Sequence, residues 1–301
     1  MKSITDGQLA AEPQQLLESA TKQNRSNNTR GEYVLATGRA AAHRLRVLHS
    51  IYGPGARRVL LQAGIKPGMR VADLGCGVGM VTALLAELVG PTGEVVGVDF
   101  SGAQITEARE LLPSNLSNIS FVEASATETG LPHESFDLVY CRFLLIHLTE
   151  PEEALREMHR LLKPNGILVC EDGDLTAAGS EPSTVLDCFS DLFGRLGPIR
   201  GVDYTLGRRL FQMVIAANFS KPEITYNQPV TARGENKRFL ELSVAEAGPG
   251  FIGAGLVTSE GLQQALVEMQ RIAEDETVLA LMPRMSQVWA RKLDVTHQTT
   301  C

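Results

Sequence analysis

The stretch Arg70-Val71-Ala72-Asp73-Leu74-Gly75-Cys76-Gly77-Val78-Gly79 runs from an apolar strand pattern straight into three alternating glycines. RVADL reads as a short buried strand, and the glycines let the backbone turn sharply and come close to a ligand. VTALLAELV follows as a helix stopped by Gly90-Pro91, and EVVGVDF is the next strand. Strand, glycine turn, helix and strand together make a βαβ unit, whose helix N-terminus offers unpaired N–H groups to an incoming group.

The same alternation continues outward. A helix is expected over Gly102–Leu112, capped by Ser101 and ended by Pro113, followed by the strands NISFV and FDLVYC. From Pro151 to Leu162 a further helix has Pro in its first turn and Glu152 and Glu153 against its positive end. Its apolar face carries Ala154, Leu155, Met158 and Leu161. It ends at Lys163-Pro164-Asn165-Gly166 and hands over to ILVC. Short apolar strands separated by amphipathic helices specify a doubly wound α/β core with a parallel sheet covered on both faces.

Around this core the pattern is looser. Residues 1–30, polar and rich in Gln, Asn, Ser and Thr, read as an arm that orders only on a ligand; two helices broken at Gly53-Pro54-Gly55 then precede the sheet. Beyond Asp174, helices are expected near 183–196, 207–217, 233–247 and 259–274, with strands at EITYNQPV and SQVWARK. The Gly-rich GPGFIGAG between them reads as a lid or connector. The expected organisation is one domain over 31–301, with a cofactor-binding core at 57–174 and a substrate cap and sheet edge at 175–275.

Composition narrows the class. With 44% hydrophobic residues the chain can bury a sizeable core, and 28 Lys plus Arg against 35 Asp plus Glu give a charge of -7 without a basic block. A nucleic-acid partner is disfavoured. The start lacks a signal-peptide pattern and no apolar run approaches a bilayer span, so a cytoplasmic protein without membrane contact is expected. Five scattered cysteines without a CxxC pair read as reduced thiols, and no residue pattern supports a metal. A homodimer is compatible with all of this.

Asp99 closes the second strand 20 residues after Gly79, where a carboxylate can accept both ribose hydroxyls of an adenosine group. The glycines form GxGxG rather than GxGxxG, and Asp73 stands two residues before the first of them. A carboxylate there suits the cationic amino-acid part of S-adenosylmethionine better than a pyrophosphate. A nicotinamide-dependent oxidoreductase and a non-catalytic binding protein are the competing readings.

Through VADLGCGVG, VVGVDFS, FVEASATETGLP, FDLVYCRFLLIHL and LLKPNGILVCED, residues 57–174 resemble the class I S-adenosylmethionine-dependent methyltransferases. EYVLATG and SQVWARK extend the likeness toward the bacterial small-molecule branch. The resemblance implies a seven-stranded Rossmann-like sheet whose last strand is antiparallel, a helical cap and an N-terminal helical arm, and methyl transfer to the oxygen, nitrogen or carbon of a small molecule. It implies that Gly75, Gly77 and Gly79 line the methionine part, Asp99 the ribose and Phe100 an adenine face. Ser125 and Ala126 would meet the adenine edge. Ser125 replaces an Asp common in the family and is the weaker hydrogen-bond partner. Cys141 and Arg142 would lie beneath the methionine group, Cys141 through its carbonyl, and Tyr33 would belong to the cofactor-covering segment.

In-line methyl transfer needs alignment more than a base, yet a hydroxyl or amine acceptor must lose a proton. His147 and Glu171 are the catalytic candidates. The plain alternatives are a packed His147 bonding a loop carbonyl, and a solvated, cap-rich loop holding Glu171, Asp172 and Asp174. His43 and His49 read as surface residues, Arg208 and Arg209 as a solvated helix face, and Trp289 as core.

Overall fold

A computed structural model describes residues 39–112 and 117–293. The expected arm over 1–30 and Tyr33 lie outside the described residues. In chain order the elements are α1 (Arg39–Ala63), β1 (Arg70–Leu74), α2 (Met80–Val89), β2 (Glu94–Asp99), α3 (Gly102–Leu111), β3 (Ile119–Glu123) and β4 (Phe136–Arg142). They continue with α4 (Pro151–Leu161), β5 (Leu162–Asp174), β6 (Gly179–Glu181), α5 (Cys188–Arg200), α6 (Leu210–Ala216), β7 (Phe219–Asn227) and β8 (Val230–Thr231). The last are α7 (Phe239–Gly253), α8 (Ser259–Glu274), β9 (Leu279–Leu281) and β10 (Arg284–Lys292). The described residues fall into two compact units, the first built from 39–174, 205–228 and 284–293, the second from 175–204 and 229–283.

The first unit holds a seven-stranded sheet in the order β3-β2-β1-β4-β5-β10-β7. β10, the last strand, runs antiparallel to both neighbours, while the pairings among β1 to β5 are parallel, as the sequence pattern and the resemblance both imply. On one face Val71, Val95, Leu138, Tyr140, Ile167 and Val169 pack with α1 and α2 through Val59, Leu60, Leu84 and Leu85. Each such side chain withdrawn from water contributes about 1.5–3 kcal/mol, which is why these strands read as nearly continuous apolar runs. Ala154, Leu155, Met158 and Leu161 of α4 are all fully buried, as their spacing requires. Ser101 caps α3 by accepting from Gln104 N at 3.4 Å.

Three local expectations need correction. The break at Gly53-Pro54-Gly55 does not occur: α1 is one helix of 25 residues with Pro54 inside it. Tyr52, Ala56, Val59 and Leu60 are fully buried on both sides of the proline, and this packing offsets its missing N–H. A side chain at Gly55 would also collide with Asn227. Secondly, EDGD is no solvated loop. β5 runs on to Asp174, and Glu171, Asp172 and Asp174 are at most 1% exposed. Register with β10 sets Glu171 opposite Gln287, Asp172 opposite Ser286 and Asp174 opposite Arg284, so the pairing strand satisfies a backbone that sequence alone leaves as a loop.

The third lies in the second unit, whose sheet is β6-β9-β8 and whose core stacks Phe193 against Phe189, Tyr204 and Phe251 at 4.6–5.3 Å between ring centroids. GPGFIG there is neither lid nor connector but the C-terminal part of α7. Ala247 and Phe251 are buried, and a Cβ on Gly248 would stand 2.7 Å from Leu262 Cδ2, so the small residue lets α7 and α8 approach closely. No helix among the described residues is long and apolar enough to cross a membrane.

Candidate active site

The β1–α2 turn is built by left-handed glycines: Gly75, Gly77 and Gly79 have φ of 71°, 54° and 77°. Gly75 N and Cys76 N both donate to Val98 O, at 2.8 and 3.0 Å, which ties the turn to β2. At Gly75 a Cβ would lie 2.9 Å from Leu144 Cδ1, so both conformation and space demand glycine. Gly79 opens α2 without a side-chain cap, and this helix N-terminus has the partial positive charge that attracts anionic or lone-pair groups.

Asp99 lies at the C-terminal end of β2 against that turn. Its Oδ2 accepts Gly77 N at 2.8 Å and its Oδ1 accepts Ser101 N at 3.0 Å. Burial pushes its proton affinity up, opposed by those N–H groups. Asp73, 2% exposed, accepts the Thr82 hydroxyl at 2.6 Å, and burial raises its carboxyl to about 7 against the effects of Thr82 and Arg142. The structure thus gathers Asp73, the three glycines and Asp99 at one strand end. Phe100 is 56% exposed beside Asp99. Ala124 N donates to Asp99 O at 3.0 Å, which carries Ser125 and Ala126 past the same edge; Ser125 is exposed, its hydroxyl 2.8 Å from Thr127 Oγ1, and Ala126 is buried.

At the end of β4, Cys141 is fully buried in register with Leu74 and Cys170. Arg142 pairs in register with Glu171, and Phe143 then takes φ of 50°, its N–H donating to Glu171 O at 2.9 Å. A bulky residue in the left-handed region costs of order 1 kcal/mol, here at the exit from the strand. The following 3-10 turn, Leu145–His147, leaves His147 half-buried. Glu171 sits deeper: Tyr140 donates to its Oε1 and Gln287 Nε2 to its Oε2 at 2.6 Å, while burial raises its proton affinity.

Other residues belong here that sequence reasoning passed over. Asp172 accepts Leu145 N at 2.8 Å and Gly173 N at 3.0 Å, and so holds the turn that carries His147. His49 is no surface residue; it is half-buried, and burial first and the charge of Arg142 second lower it to about 4. Its signal was available in the α1 pattern, four residues before Gly53, whose Cβ would stand 3.1 Å from the His49 ring. Arg208 is likewise no merely solvated residue, since its Nε donates to Asp174 Oδ2 at 2.7 Å, which also receives Arg284 at 3.1 Å. Trp289 packs against the core as expected. Among the described residues no group of three or more His, Cys, Asp or Glu is placed to hold a metal.

Residues 72–170 match the family described as a methyltransferase domain. Demethylmenaquinone methyltransferases from Staphylococcus aureus strains, such as JH9 and Newman, are 39% identical over 114 residues, covering 38% of this chain and 47% of theirs. The chain thus aligns with about half the length of these relatives. The YcgJ protein of Bacillus subtilis has the same fold at a TM-score of 0.52, with 20% identity over 78% of this chain and 97% of its own. A candidate methyltransferase of Bacillus halodurans reaches 0.53, with 19% identity over 79% and 99%. The core at 72–170 is therefore a methyltransferase domain on a Rossmann-like sheet, and the class I resemblance read from the sequence is borne out.

Proposed function

We propose that this chain uses its methyltransferase domain to transfer a methyl group from S-adenosylmethionine to a small-molecule acceptor. The observation that carries the reading is Asp99 at the end of β2, set against three glycines in the left-handed conformation with Gly77 N on its Oδ2 at 2.8 Å. A carboxylate offers about four acceptor positions, and Gly77 and Ser101 occupy two. Two remain for a pair of vicinal hydroxyls.

The residues fit the cofactor in its other parts as well. Gly75, Gly77 and Gly79 have no side chains to obstruct the amino-acid part, Asp73 supplies a carboxylate for its ammonium group, and Phe100 offers an exposed ring face to the adenine. Ser125 and Ala126 supply polar atoms for the adenine edge, and Cys141 its carbonyl. When bound, S-adenosylmethionine supplies a methyl group on positively charged sulfur. The chain's own task is to align the acceptor and, for a hydroxyl, amine or acidic carbon, to remove a proton. We assign proton removal to His147, half-buried on its turn. Glu171 is fully buried with a donor on each oxygen, which suits it to holding Tyr140 and Gln287 in place.

The test is calorimetric titration of the purified chain with S-adenosylmethionine and with NADH, followed by an assay for S-adenosylhomocysteine release. Binding of the first and not the second supports the reading; the reverse replaces it with a nicotinamide enzyme. Binding without turnover over a broad acceptor panel favours a non-catalytic protein. Demethylmenaquinone, named in the curated relatives, is the first acceptor to assay.

A further inference from the structure

Arg142 leaves β4 on the face that carries Tyr140 and Asp73, and its guanidinium acts electrostatically on His49 and Tyr52 of α1, Asp73 of β1, Tyr140 of β4 and Glu171 of β5. A cation surrounded this way ordinarily pairs with one of the carboxylates. Neither does so: Asp73 is held by the Thr82 hydroxyl, and Glu171 by Tyr140 and Gln287. Arg142 Nη1 is buried and has no hydrogen-bond partner among the described residues, and the same holds for His49 Nδ1. An unsatisfied buried donor costs about 1–3 kcal/mol, so a native chain seldom leaves one without a use. Two such nitrogens on facing elements, one belonging to a permanent cation, constitute an unfilled demand for negative charge.

We propose that Arg142 and His49 form a receiving site for a planar, singly charged oxyanion, a carboxylate or an enolate, at the C-terminal edge of the sheet. The inference deepens the reading given above, since the oxyanion enters beside the methyl-transfer site. Arg142 offers a fork of N–H donors, which suits two oxygens better than one. His49 is neutral at physiological pH, with its proton affinity lowered to about 4 by burial and by Arg142, so it adds a hydrogen bond without a second charge. The ring of Phe143 packs edge-on to Tyr52 at 5.3 Å between centroids, an aromatic flank for a flat ligand next to the guanidinium. Glu171 and Asp73 keep the site selective: a dianion would add repulsion against two buried carboxylates, whereas a single negative charge is balanced by Arg142.

The oxyanion has two sources, the carboxylate of the cofactor or an anionic oxygen of the acceptor, and one set of measurements separates them. Full-length wild type, Arg142→Met and Arg142→Lys are titrated with S-adenosylhomocysteine, with 5′-methylthioadenosine, which lacks the amino-acid end, and with benzoate, alone and on the S-adenosylhomocysteine complex. Thermal melts confirm that each variant folds. If the cofactor supplies the anion, Arg142→Met weakens S-adenosylhomocysteine at least tenfold, leaves methylthioadenosine within twofold, and Arg142→Lys recovers part of the loss. If the acceptor supplies it, both nucleosides bind Arg142→Met normally, while benzoate binds the wild-type complex and not the variant complex. Independently of any nucleoside, benzoate should raise the His49 titration midpoint read by NMR in wild type and leave it unmoved in Arg142→Met. This last measurement stands even if S-adenosylhomocysteine does not bind at all, an outcome that would sink the methyltransferase reading alone. Equal effects of Arg142→Met on both nucleosides, or none, together with a His49 midpoint indifferent to benzoate, overturn the oxyanion site.

Discussion

Asp172 Oδ2 accepts the backbone N–H of Leu145 at 2.8 Å, so a fully buried carboxylate on β5 holds the first residue of the turn that presents His147. Its Oδ1 takes Gly173 N at 3.0 Å. The candidate base and the sheet are thereby one mechanical unit, although His147 and Asp172 are 25 residues apart in sequence.

Asp172→Ala strips the acceptor from two backbone donors and should cost about 1–3 kcal/mol in chemical denaturation for each N–H left without a partner. Asp172→Asn keeps an acceptor oxygen and should recover part of that loss. Turnover should follow the same order, with cofactor affinity nearly constant because Asp99 and the glycines are untouched. Equal activity in all three proteins would show that the turn holds itself.

Removing the carboxylate in Asp99→Ala should weaken cofactor binding by roughly 1.5–3 kcal/mol, the range for hydrogen bonds to a charged group. It also frees Gly77 N and Ser101 N, so the glycine turn should become more mobile. Calorimetry for affinity and hydrogen exchange at residues 75–79 read the two effects separately.

The pH dependence of stability should carry the mark of Asp73. Its carboxyl is raised from 3.8 to about 7 by burial, so between those values the folded chain holds a proton that the unfolded chain releases. This contribution is complete below about pH 4 and is lost as pH rises toward 7. Asp73→Asn should flatten that part of the stability profile, measured by denaturation at intervals from pH 4 to 8. A cationic ligand beside Asp73 favours the ionised form, so S-adenosylmethionine binding in wild type should release protons near pH 6–7, seen as a calorimetric enthalpy that changes with buffer.

His147→Ala should lower turnover by about 10²-fold or more with a hydroxyl or amine acceptor, at nearly constant cofactor affinity. Glu171→Gln retains an oxygen and an amide for Tyr140 and Gln287 and should lose far less. Comparing kcat for the two across pH, at saturating cofactor, decides between them. A larger loss in Glu171→Gln would return the proton transfer to Glu171.

A methyl group at Gly207 would meet Asp172 O at 2.7 Å and Gly173 O at 2.9 Å, both backbone atoms of β5 that cannot move aside alone. Gly207→Ala should therefore destabilise by about 1–3 kcal/mol and disturb the His147 turn through Asp172. A thermal melt and turnover of the one variant test both.

The sequence by itself determined the doubly wound core, because period and composition there are local properties. VADL and EVVGVD are apolar enough to be buried on both faces, Ser101 and Pro151 mark helix starts, and three glycines next to Asp73 with Asp99 downstream have little use except around a ligand. Tertiary structure alone decided what happens where local signals conflict with packing. Pro54 and its glycines call for a break, and buried neighbours on both sides keep α1 whole. EDGD has the composition of a loop, and β10, over 100 residues later, makes it a strand by supplying the hydrogen-bond partners and Gln287 for Glu171. GPGFIG likewise becomes helix because Gly248 is small enough to let α8 close upon it. The partners of Asp172, His49 and Arg142 were illegible for the same reason: a buried polar group is defined by what lies across from it, and those groups come from distant parts of the chain.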